Sequence, residues 1–256
     1  MAGQIKIQSL KKAFDIIEVI VSTRDATLSD IAAQLKLSES TVYDYLITLV
    51  ELGYLDRDNQ KYRINTRFLD MGTTARENLP IFRLSKSEID GLATKTGEHA
   101  SLMVEENGLG VLLYIAKGEN ALDLGVSTGR QMRLPTNAPG KAILANFDRE
   151  RIEEVLDEHG LPVITDKTIT DREALMDELQ IIRERGYATD FGERVDGVRA
   201  VSVPIVVGNE VHGAITISGP ANRMGNERIE KEIPDILMES SNVIEIQYTL
   251  KGSKQM

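Results

Sequence analysis

Along the first hundred residues the apolar positions fall mostly three and four apart; beyond them, short strand-like runs bounded by turn residues alternate with further helical stretches. Residues 5–21 place Leu10, Ala13, Phe14, Ile17 and Ile20 at near-helical spacing and predict a first helix. Thr27 followed by Asp30 approximates a capping box, and Ile31, Ala32 and Leu35 supply the inner face of a short second helix. Lys36-Leu37-Ser38 then interrupts the pattern, with Ser38 as a second N-cap. Val42, Leu46, Leu49, Val50 and Leu52 form the stripe of a third helix, which Gly53 ends with a left-handed residue. Tyr54-Leu55-Asp56 and Lys61-Tyr62-Arg63-Ile64 read as strands around a turn rich in Asp and Asn. Two helices across a tight turn followed by a hairpin predict a winged helix-turn-helix.

Further on, residues 71–79 predict a connecting helix stopped by Pro80. Residues 85–95 predict another, with Ser85 and Glu88 as its capping box and Gly97 as its end. Strands are expected over 100–104, 111–115 and 122–126, helices over 140–146, 149–159 and 171–185, and a short strand at Tyr187-Ala188-Thr189. A hairpin of 198–207 with 211–218 turns about Gly208-Asn209, and 226–247 is mainly helical. The expected fold class is α+β: a winged helix-turn-helix over 1–66, a linker helix over 67–84, and a mixed α/β domain with a largely antiparallel sheet over 85–250. No internal repeat or low-complexity segment is present.

A helix-turn-helix lays the amino end of its second helix in the major groove, which is about 12 Å wide. Ser38, Ser40, Thr41, Tyr43, Asp44 and Tyr45 are then candidates to face bases or phosphates, and wing residues Arg57, Lys61 and Arg63 to lie over the backbone. The alternative is a small three-helix unit that only packs or binds protein. Residues 1–65 hold eight Lys and Arg against nine Asp and Glu, whereas the other residues hold 22 against 31, so the net charge of −10 lies mainly in the second part. A near-neutral head binds DNA weakly and with strong salt dependence, so two copies on one DNA are expected, hence a homodimer or a dimer of dimers.

Composition narrows the classes. A hydrophobic share of 41% and a charged share of 27% are ordinary for a globular chain, and no stretch approaches 18 consecutive apolar residues. A cytoplasmic location without membrane contact is expected, since the first twenty residues lack a secretory hydrophobic region. The acidity suits a saline interior or solubility alone. With no cysteine, disulfides, thiolate metal sites and cysteine nucleophiles are excluded.

Several motifs in order resemble one family. Gln8-Ser-Leu-Lys-Lys-Ala13, Ser40-Thr41-Val42-Tyr43, Glu51-Leu-Gly-Tyr-Leu55 and Lys61-Tyr62-Arg63-Ile64 resemble the IclR transcriptional regulators. So do Ala138-Pro139-Gly140-Lys141-Ala142, Gly186-Tyr-Ala-Thr-Asp190 with Glu193, and Gly213-Ala-Ile-Thr-Ile-Ser-Gly-Pro220. The resemblance runs from about residue 5 to 247. It implies a DNA-binding head, a linker helix and a GAF-like effector-binding domain, assembled as dimers or dimers of dimers on a double-stranded operator. The family usually carries arginine where Asp44 stands, which implies readout shifted toward Ser40, Thr41, Tyr43, Tyr45 and the wing.

For the effector, strand alternation puts Thr216 and Ser218 on one face, and the paired strand offers Ala200 and Ser202. These small hydroxyls either line a cavity or face water. Asp190 and Glu193 match acidic positions of the family's pocket, or are solvated loop carboxylates. Asn137, Ala138 and Gly140 form a third wall, where Gly140 either opens a helix whose free N–H groups attract an anion or permits close packing. The effector expected is a compact polar metabolite, an organic acid or a sugar- or aromatic-derived acid, whose binding changes the linker helix and so the spacing of two DNA-reading heads. No cofactor or metal is expected. A ligand-binding adaptor without DNA affinity, and a metal-dependent enzyme using Asp190, Glu193 and His212, are the alternatives; no histidine pair, nucleophile elbow or Walker-type loop supports the latter.

Overall fold

Capping side chains set the boundaries of the amino-terminal helices. In the computed structural model, which describes residues 5–122 and 125–252, helix α1 spans Gln8–Thr23 and buries Ile16, Val19 and Ile20. α2 (Leu28–Leu35) begins at a complete capping box: the Asp30 amide donates to the Thr27 hydroxyl at 3.2 Å and the Thr27 amide to the Asp30 carboxylate at 3.0 Å. The Thr27 hydroxyl, which also donates to the Asp30 carboxylate at 2.7 Å, and then the Thr27 amide hold that carboxyl below its ordinary pKa. Lys36, left-handed at φ 54°, turns the chain. Ser38 caps α3 (Glu39–Glu51) by accepting the Thr41 amide at 3.3 Å, and Gly53 at φ 76° follows its end.

Val42, Leu46 and Leu49 of α3 enter a core shared with α1, α2 and the wing residues Leu55 and Tyr62. The wing pairs β2 (Leu55–Asp58) with β3 (Lys61–Ile64), and β1 (Ala26–Thr27) adds to β3 on its other side. Two residues are too few to show a periodicity, so β1 had no sequence signal.

Pro80 has a different role from the one expected. The linker helix α4 spans Arg67–Glu77, starting four residues early because the Asn65 side chain accepts the Arg67 amide at 2.9 Å. Pro80 is the first residue of α5 (Pro80–Thr96), where its preset φ suits a helix and its missing N–H leaves no bond unmade. Ser85 therefore lies buried in the second turn of α5, and the capping box with Glu88 does not form. The chain divides into two compact units, residues up to Ala75 and residues from Arg76 on.

The second unit holds a six-stranded sheet, antiparallel throughout, in the order β6-β5-β4-β9-β8-β7. The strands are β4 (His99–Glu106), β5 (Leu109–Lys117), β6 (Gln131–Arg133), β7 (Ala188–Asp190), β8 (Val198–Val207) and β9 (Glu210–Pro220). Asn107 and Gly108, both at positive φ, make the tight turn between β4 and β5. On one face, α5 and α9 (Ile233–Gly252) cover Leu102, Val203, Ile215 and Ile217. On the other, α6 (Ala138–Leu144), α7 (Arg149–His159) and α8 (Arg172–Arg185) cover Met103, Leu112, Ala188, Ala200 and Ala214.

Three expectations need correction. α6 starts at Ala138 rather than Gly140, because Asn137 caps it. A π-helical turn, Arg228–Glu232, precedes α9, so the regular helix begins only at Ile233. The strand expected over 122–126 falls partly on 123 and 124, outside the described residues, while Leu122, Gly125 and Val126 are irregular; β6, three residues long, takes the place beside β5.

Candidate DNA-reading surface and effector site

With about 100° per residue, Ser40, Tyr43, Asp44 and Ile47 share the face of α3 opposite Val42, Leu46 and Leu49. Ser40, Tyr43 and Asp44 are exposed and Ile47 half-buried. Ile47 was in neither the apolar stripe nor the outward face expected from the sequence; its place outside the stripe was the available signal. Ser38 and Thr41 stand at the helix entrance with their hydroxyls 2.7 Å apart. Tyr45 departs from expectation: about 100° round α3 from Asp44, it packs against the head's core and lines an apolar groove with Leu10 and Phe14.

The wing cations do not form one row. Arg57 is opposite Tyr62 in the ladder and lies over its ring at 5.7 Å, whereas Lys61 and Arg63 point to the other face. There Lys61 meets Asp25 at 2.9 Å and Arg63 meets Asp56 at 3.8 Å. The hydrogen bond and charge of Asp25 hold the Lys61 ammonium above its ordinary pKa. Exposed pairs of this kind hold their partners only weakly, so neither cation is locked to its carboxylate.

The strand register assembles the effector candidates. Asp190, Ala200, Ser218 and His99 lie side by side across β7, β8, β9 and β4, and Ala188, Ser202, Thr216 and Ser101 form the next row. Strands are about 4.8 Å apart, so each row crosses roughly 14 Å of the sheet. The rows lie on the face that α6 covers. The Thr216 hydroxyl donates to Ser202 at 2.9 Å and Ser202 to the Ile215 carbonyl at 3.0 Å, which lets both hydroxyls be buried.

Beside these rows stands a buried ion pair that sequence reading missed. Lys141 of α6, 1% exposed, donates to both Glu193 oxygens at 2.6 and 2.8 Å and lies 3.7 Å from Glu178. Its one signal was a lone cation amid Ala138, Pro139, Gly140, Ala142, Ile143 and Leu144. Burial pushes the Glu193 carboxyl up in pKa, and Lys141 draws it part of the way back. Asp190 accepts the amides of Gly192 at 2.8 Å and Glu193 at 2.7 Å, yet burial leaves its carboxyl above the ordinary value. Both are fixed, buried groups rather than solvated loop carboxylates. Burial first, and the charge of Arg130 second, hold the Arg194 guanidinium below its ordinary pKa.

Gly140 follows the close-packing alternative: a Cβ there would come 2.0 Å from the Leu134 carbonyl oxygen. The Asn137 side chain accepts the Gly140 amide at 2.9 Å and Pro139 has no N–H, so α6 offers no open set of amides to an anion. Asn137 and Ala138 are buried where α6 begins. His212 stacks on Tyr248 of α9 with ring centroids 4.4 Å apart, on the face opposite Asp190 and Glu193. Among the described residues, no three His, Asp or Glu side chains form a metal-holding group, and no helix is long and apolar enough to cross a membrane.

A winged helix-turn-helix followed by a separate α/β unit with a polar row inside it defines a ligand-responsive DNA-binding regulator. Comparison with known proteins agrees: the model of the bacterial transcriptional regulator IclR C-terminal domain matches residues 73–245, and that of the IclR helix-turn-helix domain matches residues 9–59. The chain is 32% identical over 250 residues to a Halobacterium salinarum protein described as the probable HTH-type transcriptional regulator ArcR, covering 94% of each chain. It is 28% identical over 235 residues to the regulator KdgR of Escherichia coli, covering 89% of this chain and 88% of that one.

Among solved structures, the Thermotoga maritima IclR superposes with a TM-score of 0.77 at 31% identity, covering 94% of this chain and 98% of the other. A Microbacterium hydrocarbonoxydans IclR homologue crystallised with 4-hydroxybenzoate shares the fold, with a TM-score of 0.79 at 24% identity over 93% and 98%. The chain belongs to the IclR family. It is a DNA-binding transcriptional regulator with a carboxy-terminal effector domain, not an enzyme.

Proposed function

We propose that the effector is a small carboxylic acid lodged along the row Asp190, Ala200, Ser218 and His99, and that its binding alters operator affinity in the cytoplasm. The carrying observation is the polar row of Asp190, Ser218 and His99 beside the small Ala200, with Ser101, Ser202 and Thr216 in the next row, on the sheet face that α6 covers. Small side chains at Ala200 and Ser218 leave room, the Ser218 hydroxyl orients a polar ligand, and an arriving carboxylate would pair with the half-buried Arg194 guanidinium, four residues on from Asp190. The 4-hydroxybenzoate held by a protein of the same fold supports an acid as ligand.

In this reading Ser40, Thr41, Tyr43, Asp44 and Ile47 meet the operator's bases or nearby phosphates, and Lys61 and Arg63 its backbone. The linker over 67–84, which takes in α4, passes the effector's differential affinity to the head. The working unit is a homodimer on two half-sites, because Leu10, Phe14, Leu52 and Met71, each about half exposed, line one apolar groove on the head that a second copy would cover.

A gel shift on the DNA flanking the protein's own gene, at two salt concentrations and with aliphatic, sugar-derived and aromatic acids including 4-hydroxybenzoate, tests this reading. A salt-sensitive shift that one acid moves supports it. A shift that no acid moves, while neutral ligands do, would replace the acid.

A further inference from the structure

α3 is the helix that enters the groove, and it carries no Lys or Arg; its charges are Glu39, Asp44 and Glu51. Most acidic side chains near the DNA-facing surface have a partner within the head. Asp25 holds Lys61, Asp30 holds Thr27, Glu39 accepts from the Ser29 hydroxyl at 2.7 Å, Asp56 accepts from Asn65 at 2.8 Å, and Asp58 from Asn59 at 3.1 Å. Among the described residues nothing pairs with the Asp44 carboxylate; the Thr48 hydroxyl reaches only its backbone carbonyl. Asp44 is exposed on the face it shares with Ser40 and Tyr43, in the second turn from the capped end of α3. The fold does not use this carboxylate, and against phosphate it only repels.

In the major groove, however, a carboxylate meets hydrogen-bond donors at two bases, the cytosine N4 amino group and the adenine N6 amino group. Adenine presents its N7 acceptor next to that donor, which repels an anion, whereas cytosine presents only a C–H. Guanine, with acceptors at both N7 and O6, repels it most.

We propose that Asp44 is a specificity-determining residue that accepts a hydrogen bond from the N4 amino group of a cytosine in each operator half-site and rejects guanine there, while the wing supplies phosphate affinity. This goes beyond the regulator assignment and does not depend on the effector's identity.

The test is selection from a library of duplexes with a randomised core, using the full-length protein, Asp44→Asn and Asp44→Ala. The wild type is expected to enrich cytosine at one position per half-site and to lose roughly tenfold or more in affinity when that base is changed. Asp44→Asn should move the preference to adenine, which presents a donor and an acceptor to the amide. Asp44→Ala should lose preference there while keeping it elsewhere. As a second readout, a duplex whose selected cytosine lacks its 4-amino group should weaken the wild type and leave Asp44→Ala unaffected. The proposal is overturned if all three proteins enrich one motif and Asp44→Ala binds every duplex tighter by the same factor, or if the wild type ignores loss of the amino group.

Discussion

At the scale of single residues, burial decides which charges matter. Lys141 is sealed between Glu193 and Glu178, so removing it strands a carboxylate away from water. Lys141→Met should cost about 3–5 kcal/mol in chemical denaturation, and Lys141→Met with Glu193→Leu should recover much of it; equal losses in both would show that the charge pairing is not what matters. Asp190 gives a pH signature. Burial raises its folded pKa, so the native state binds protons more readily than the unfolded chain, and stability declines as pH rises from the ordinary aspartate value through the raised one. Asp190→Asn keeps an oxygen to accept the Gly192 and Glu193 amides, and should flatten part of that decline in melts across pH 4–7. An unchanged slope would assign the decline to other groups, Glu193 first.

At the scale of elements, the joint between α3 and α4 ties the recognition helix to the linker. Arg67, in the first residue of α4, donates to the Leu52 carbonyl at 2.6 Å and lies 4.7 Å from the Tyr54 ring centroid, with Phe68 5.4 Å from the same ring. Gly53 makes the turn possible. A Cβ there would meet only Arg67 at 3.6 Å, an ordinary contact, so any cost of a side chain comes from φ 76° itself. Gly53→Ala should lower the head's stability by about 1 kcal/mol and weaken operator binding without changing effector affinity. An unchanged melting curve would mean that the turn adopts another conformation. Capping box, left-handed glycine and apolar stripe all act within a few residues, which is why this element was legible along the chain.

At the scale of the whole molecule, the proposed homodimer would cover the apolar groove of the head. Phe14 is 59% exposed in it, so Phe14→Asp should shift the mass measured by light scattering toward one chain. Operator affinity should also fall more than tenfold, since two linked heads bind with an avidity that one lacks. An unchanged mass would place the dimer contact elsewhere.

The sequence by itself determined the winged helix-turn-helix, most helix and strand positions and the antiparallel sheet, because capping, turn chemistry and periodicity are set by neighbours a few residues apart. It also marked Asp190, Glu193, Thr216 and Ser218 through their motifs and the strand alternation. Only the tertiary structure decided that Tyr45 faces the core side, that Arg57 and Lys61 point apart, that Gly140 is a packing residue, and that Lys141 is buried against Glu193, 52 positions along the chain. Those outcomes rest on contacts between distant segments, and a carboxylate or ammonium has the same sequence signature whether water or an opposite charge surrounds it.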